Sequence, residues 1–274
     1  MRLFVFGPGY TASRIAARLE RRGWRVAGTG RAGFADRERV GFEVAHATHI
    51  LSSVPPAEEE DPVLTAYGTQ IAASGAALAY LSSTGVYGDT GGAWVDESAP
   101  VGLGRRSARA AADLAWLAIG ARVFRLPGIY GPGRSPLDRV RAGTAQRVDV
   151  PGQIFSRIHV DDIVEGVVAG LDAPPGAYNL ADDLPAPQSD VIACAAMLLG
   201  LPVPPLMPLE AAGLSPQARA FYSENRRVAN GKAKRVLGWR PRYPDYRLGL
   251  RALNAITSPA STSSAPPPAS ADQR

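Results

Sequence analysis

The stretch "YLSSTGVYGDTGG", residues 80–92, places Ser82, Ser83, Thr84 and Tyr87 within six residues, directly after an apolar run. Hydroxyls gathered where a strand ends are positioned to hydrogen-bond a reacting oxygen. A tyrosine phenol, with a pKa of about 10, does acid–base work at neutral pH only with help. A neighbouring lysine ammonium is the common helper. This chain of 274 residues carries two lysines, Lys232 and Lys234, and none before them. The cluster therefore reads as one half of a proton-transfer site whose cationic half must come from other residues.

A second group lies near the start of the chain. "GPGYTA" puts glycines at 7 and 9 and a small residue, Ala12, at the spacing of G-x-G-x-x-G/A. The motif follows the apolar run Leu3–Phe6 and opens "YTASRIAARLE", where Ile15, Ala16 and Leu19 recur at helical spacing. In that context Gly7 permits the tight turn, Gly9 lets the backbone approach a pyrophosphate, and Ala12 lets helix and strand pack closely. Tyr10 and Thr11 open the helix, whose free N–H groups and dipole favour an anion. About twenty residues on, an acid would serve the ribose of NAD; "GTGR" offers Thr29 and Arg31 instead. An arginine fork suits a phosphate, so NADP is expected, with NAD as the alternative. Ser53, ending the strand "HATHILSS", belongs to the same expected cofactor surface.

The elements that must position these groups alternate. "WRVAGTGR", "HATHILSS", "ALAYLSS" and "ARVFRLP" read as strands; "DPVLTAYGTQIAASG" and "SARAAADLAWLAIG" read as helices between them. Alternating strands and helices imply a parallel sheet covered on both faces. Between Arg31 and His49, "GFADRERVGFEV" leaves room for a stunted helix and a short strand. After Pro127 come a loop, "GIYGPGRSPLDRV", a strand entering a helix, "SRIHVDDIVEGVVAGL", and a late strand, "GAYNLAD". "VPPLMPLE" is a proline-rich connection expected to wrap over the site.

Taken in order, "GPGYTA", "SSTGVYGD", "FRLPGIYGPGR", "RIHVDDI" and "VLGWRP" resemble the extended short-chain dehydrogenase/reductases, in an atypical branch of the NAD-dependent epimerase/dehydratase family. The resemblance covers residues 1 to about 255. It implies a Rossmann-type, doubly wound parallel sheet of about seven strands with a small C-terminal substrate lobe. The implied substrates are sugar-type or other small carbonyl or hydroxyl compounds. Ser83 falls at the family's catalytic Ser or Thr, with Thr84 adjacent. Pro127 and Gly128 fall in the segment that meets the nicotinamide end. The aspartate that follows the family's Tyr-x-x-x-Lys corresponds to Asp113, which puts Arg109 at the lysine and Arg105 at the tyrosine. Arg109 retains a cation for the ribose. Arg105 does not replace a phenol, because guanidinium keeps its proton at neutral pH. Tyr130, Tyr87, His159 and a water held by Ser83 are the other acid–base candidates; Tyr130, in a loop over the nicotinamide position, is preferred, and Tyr87 reads as packing. Asp161 reads as the cap of the helix that follows it. The expected function is an NAD(P)-binding oxidoreductase or epimerase/dehydratase-like protein, the alternative a non-catalytic NADP(H)-binding regulator.

Composition sets the outer limits. The chain is 46% hydrophobic and 20% charged, with a net charge of +5 carried mostly by arginine. That is an ordinary globular balance. The basic residues are dispersed and no aromatic–basic module appears, so nucleic acid is not an expected partner. Cys194 stands alone in an apolar helical stretch and reads as a structural thiol, and His46, His49 and His159 form no metal-ligand pattern. No apolar run reaches membrane-spanning length, and a cytoplasmic location is expected. The resemblance leaves a homodimer open. One domain is expected over 1–257, its core mainly 1–126 and 157–182 and its lobe mainly 127–156 and 183–257. The polar, low-complexity stretch 258–274 is expected to be a disordered tail.

Overall fold

In chain order the elements are β1 (Arg2–Phe6), α1 (Tyr10–Glu20), β2 (Arg25–Thr29), α2 (Arg37–His46), β3 (His49–Ser52), α3 (Pro62–Ala73) and β4 (Ala77–Ser83). There follow β5 (Trp94–Val95), α4 (Ser107–Ala118), β6 (Arg122–Leu126), β7 (Gly128–Tyr130), α5 (Pro136–Arg141), β8 (Arg147–Asp149), β9 (Arg157–His159) and α6 (Val160–Gly170). The chain continues through β10 (Gly176–Asn179), α7 (Gln188–Leu198), β11 (Leu206–Pro208), α8 (Pro216–Arg219), β12 (Arg227–Val228), α9 (Gly231–Val236) and α10 (Tyr246–Thr257). This computed structural model describes residues 1–57, 60–102, 104–105 and 107–257. The expected tail, 258–274, lies outside the described residues.

Six strands form one parallel sheet in the order β10-β6-β4-β3-β1-β2. The strands are short, and all but the edge strand β2 are largely buried, as a helix-covered parallel sheet requires. On one face Ile15 and Leu19 of α1 pack with Ile163 and Val167 of α6 over Val5 and Phe124. On the other, Val40 and Val44 of α2, Tyr67 and Ile71 of α3 and Trp116 of α4 cover Phe4, Phe6 and Tyr80. A third cluster lies away from the sheet: Tyr130, Leu137, Val191, Ile192, Tyr246 and Leu250 join α5, α7 and α10 into a lobe.

Two expectations are corrected. The segment after β2 contains a single turn of 3-10 helix (Arg31–Gly33) and α2, with no strand. Asp36 starts α2 by accepting the Arg39 N–H at 3.1 Å, and Val40 and Val44 on one helical face bury against the sheet. Once a ten-residue helix forms there, the chain passes directly to β3. The sheet has six strands and β2 is an edge. The proline-rich segment also behaves differently. Leu206–Pro208 pairs as β11 with β8 rather than crossing the site, and residues from Leu214 onward line the cleft instead.

Candidate functional site

In an open parallel sheet, ligands settle outside the carboxyl ends of the strands, where the strand order reverses. Here β1 has β2 on one side and β3 on the other, and the turns after these strands hold the first group of expected residues. Gly7 has φ +74°, and a Cβ there would stand 2.8 Å from Val54 Cγ2. Only glycine makes this turn without strain. Gly9 precedes α1 in extended conformation, and no side chain caps the helix. The first-turn N–H groups, including those of Thr11 and Ala12, are thus left to a ligand. Ser53 donates its hydroxyl to the Gly7 carbonyl and braces the loop. Tyr10 donates to the Pro132 carbonyl at 3.1 Å, with Arg14 and Arg134 over its ring at 3.9 and 4.9 Å. These contacts tie the loop after β7 to the start of α1. The uncapped helix, the glycine turn and the clear space beside Gly9 fit a pyrophosphate.

Thr29 ends β2 buried, and its hydroxyl accepts from Arg39 Nη2 at 3.2 Å. Arg31 is exposed in the next turn. Sequence reasoning singled out Arg31 and passed over Arg39. Arg39 sits ten residues past Thr29, and only the tight path from β2 into α2 brings it back.

The hydroxyl cluster divides three ways. Ser82 points under the sheet and donates to Asp113 Oδ2 at 2.6 Å. Ser83 ends β4, half-buried; its Oγ accepts the Gly85 N–H at 3.1 Å, which leaves the hydroxyl proton free for a ligand. Thr84 is buried beside it. Tyr87 packs: its hydroxyl donates to Asn179 Oδ1 at 2.8 Å and accepts from Arg125 Nη1 at 3.0 Å. Beneath them Arg125 grips Asp113 through two bonds of 2.7 and 3.1 Å, both residues buried.

Arg109, on α4, donates to the Tyr80 hydroxyl at 2.8 Å. Burial raises the Tyr80 phenol to about 12, with Arg109 pulling the other way. Asp113, the acid expected beyond the lysine position, pairs with Arg125. Neither lysine approaches this region: Lys232 bonds the Ala177 carbonyl and Lys234 bonds Asp183.

Ser83, Thr84, Pro127 and Gly128 open onto a cavity of 810 Å³ between the sheet and the lobe. Arg105 lines it too, as do Tyr130, Phe155 and Tyr222. The Tyr130 hydroxyl, however, is buried, has no hydrogen-bond partner, and sits where a Cβ on Gly249 would be. Burial, then the carboxylates of Asp182 and Asp162, push its pKa upward. His159 lies against the Tyr130 and Tyr243 rings, outside the residues lining the cavity. His159, rather than Asp161, caps α6: its Nδ1 accepts the Asp161 N–H at 3.2 Å, which fixes the proton of the neutral ring on Nε2. Asp162 faces inward and takes the Arg242 and Tyr243 N–H groups at 2.6 and 3.1 Å. Among the described residues no cluster of His, Cys, Asp and Glu would hold a metal ion, and no helix is long and apolar enough to cross a membrane.

No family model matches the chain. Among curated proteins, a 3-diazoavenalumate denitrifying reductase from a Streptomyces species is 33% identical over 153 residues, covering 52% of this chain. The match spans 48% of that relative's length. A conserved protein of unknown function from Silicibacter pomeroyi is 44% identical, covers 93% of this chain and 98% of its own, and superposes with a TM-score of 0.84. The two chains belong to one family. A human epimerase-family protein solved with NADPH shares 16% identity, with a TM-score of 0.70 over 93% of this chain and 99% of its own. A Thermus thermophilus UDP-glucose 4-epimerase solved with NAD shares 21% identity, with a TM-score of 0.69 over 93% of this chain and 98% of its own.

Proposed function

We propose that this chain, built on the fold of the NAD-dependent epimerase/dehydratases, is an NADP(H)-dependent reductase acting on a small acceptor in the cavity beside Ser83. The observation that carries the reading is that one cavity joins Ser83, Thr84, Pro127 and Gly128 to the substrate lobe, with Arg105 where the sequence resemblance expects a tyrosine. A nicotinamide dinucleotide, when bound, supplies or accepts hydride at this place. The glycine turn and the uncapped start of α1 would hold its pyrophosphate. Thr29, Arg31 and Arg39 would meet the adenosine ribose and favour a 2′-phosphate. The low sequence identity of the NADPH- and NAD-bound neighbours leaves that preference to experiment.

Ser83 would donate a hydrogen bond to the reacting atom. A serine hydroxyl orients and stabilises developing charge, but it does not release its proton near neutrality. The phenols next to the sheet are committed elsewhere: Tyr80 to Arg109, Tyr87 to Asn179, and Tyr130 to the lobe interior. Tyr222 and Tyr246 line the cavity from the lobe, and burial pushes both of their pKa values upward, away from acid–base work near neutrality. This favours acceptors whose reduction needs no proton from the protein. The Streptomyces relative is named as a denitrifying reductase of a diazo acid, and reduction of such an acid in a diazonium form has that character. Hydride added to an aryl diazonium, with loss of N2, forms a C–H bond as the C–N bond breaks, and no external proton enters.

The test is NADPH oxidation by the full chain against a panel of aldehydes, ketones and aryl diazonium acids. Expected is turnover of at least the diazonium class, with N2 released in step and lowered about tenfold or more by Ser83→Ala. Tight NADPH binding without turnover of any acceptor would instead favour the regulator reading, which rests on the same absence of a phenol–ammonium pair.

A further inference from the structure

The cavity's charge is uneven. Glu224, a buried carboxylate on its wall, accepts the Arg105 backbone N–H at 3.2 Å, lies 3.6 Å from Arg105 Nε and 3.0 Å from Arg226 Nη1. Arg226 also donates to the Gly88 carbonyl at 2.8 Å. One carboxylate thus serves two guanidinium groups, which leaves one positive charge unmatched. Arg139 adds another on the same cavity, beside Tyr222. The second acid of the cavity, Asp138, is committed to the start of α5, where it accepts the Ser135 N–H at 2.9 Å, and to Arg141 at 3.7 Å. Uncompensated cations lining a half-enclosed space attract an anion.

The surroundings say which kind. Phe155 and Tyr222 meet edge to face at 5.5 Å, and Arg105 lies over the Phe221 ring at 5.1 Å. These flat side chains make a slot suited to a planar, unsaturated group. The position of Arg105 matters as much. Gly104 leaves no room for a Cβ against Gly88, so the backbone before Arg105 packs on the turn that Ser83 and Thr84 begin. The cation therefore belongs to the reacting end of the cavity. An anion held there sits beside the turn that Ser83 begins.

We infer that Arg105, held by Glu224 and seconded by Arg226 and Arg139, is the carboxylate anchor for a planar aromatic acid that is the substrate of this site. Arg105 is a specificity-determining residue: its guanidinium fork donates to both carboxylate oxygens, and the ring of the acid lies among Phe155, Phe221 and Tyr222. This inference rests on the reductase reading for the word substrate, but the binding claim stands apart from it.

The test uses the full chain and two probes of equal shape, 4-hydroxycinnamate and its neutral amide, by isothermal titration calorimetry with and without NADPH. The acid is expected to bind at least tenfold more tightly than the amide. Arg105→Gln should abolish that difference, and Arg105→Lys should keep part of it, because the charge remains while the fork is lost. Arg139→Gln, at an exposed position, should narrow the difference severalfold. Equal affinity for acid and amide, an unchanged preference in folded Arg105→Gln, or tight binding of UDP-glucose with none of the acid would overturn the assignment. NADPH binding is read separately by nicotinamide fluorescence. If NADPH fails to bind while the acid does, the reductase reading falls and the carboxylate anchor stands; if NADPH binds and the acid does not, the anchor falls alone.

Discussion

Two arginine–carboxylate groups lie on either side of the turn that starts at Ser83, and they are built differently. Below it, Arg125 and Asp113 are closed on each other: two direct bonds, with Ser82 and Tyr87 taking remaining valences and both residues nearly inaccessible. Above it, Glu224 is shared between Arg105 and Arg226 on the wall of a cavity, with cation left over. A closed group fixes geometry, since each member lost leaves a buried charge alone. An open group keeps interaction capacity for something that arrives later. The same pairing of arginine with carboxylate thus ties β6 to α4 in one place and leaves cation facing a cavity in the other.

The largest effect that bears on this contrast is expected at Asp113. Asp113→Ala strands the Arg125 guanidinium in the interior, at an expected cost of about 3–5 kcal/mol in urea unfolding. A loss below about 1 kcal/mol would mean that Arg125 finds other partners and that the lower group is not closed. Asp162 tests the buried scaffold through pH. Burial raises its carboxyl to about 6, against the backbone N–H groups of Arg242 and Tyr243. Between the unfolded value near 4 and about 6, the folded protein holds a proton that the unfolded chain has released. The contribution is therefore full below about pH 4 and is lost as pH rises through about 6. Asp162→Asn removes this dependence. Its stability relative to wild type should improve from pH 4.5 to 7 by at most about 3 kcal/mol, and parallel pH curves for the two proteins would contradict the assignment.

On the open side, Arg31→Ala with Arg39→Ala should weaken NADPH about tenfold, roughly 1.4 kcal/mol, and leave NADH nearly unchanged. Equal losses for both cofactors would remove these arginines from 2′-phosphate recognition and assign them to the ribose or to helix α2. The measurement is fluorescence titration of each cofactor.

How much of this was legible in the sequence depends on range. The glycine turn before α1 was plain because its requirements are local: a turn with φ +74° at Gly7 and a helix start without a cap are written in neighbouring residues. The parallel sheet followed from the alternation of apolar runs. The absent strand after β2 was not visible, because Val40 and Val44 serve either a strand or a helix face until Asp36 caps one choice. The cavity charges were less visible still. Arg105 and Glu224 are 119 positions apart, and nothing in "SENRR" says that its acid will meet an arginine from the turn before α4. Arg109 was expected to hold the ribose; its bond to the Tyr80 hydroxyl depends on α4 packing over β4 and was not legible.

Tyr130 gives the smallest expected effect and a sharp discrimination. From sequence it stands in the loop over the cleft, where a phenol would be useful. In the fold Tyr130 lines the cavity while its hydroxyl is enclosed with no partner against Gly249, and burial holds the proton on. An unpartnered buried hydroxyl costs about 1–3 kcal/mol of desolvation, so removing it relieves the fold rather than injuring it. Tyr130→Phe should leave kcat and its pH profile unchanged and stability equal or up to about 1 kcal/mol higher. A tenfold fall in kcat with KM unchanged would put the phenol in the chemistry. That result would require the α10 side of the lobe to swing away from Tyr130 during turnover. The unmatched cations above Ser83 would then share the site with a proton donor, and the preference for acceptors that need no proton would be lost.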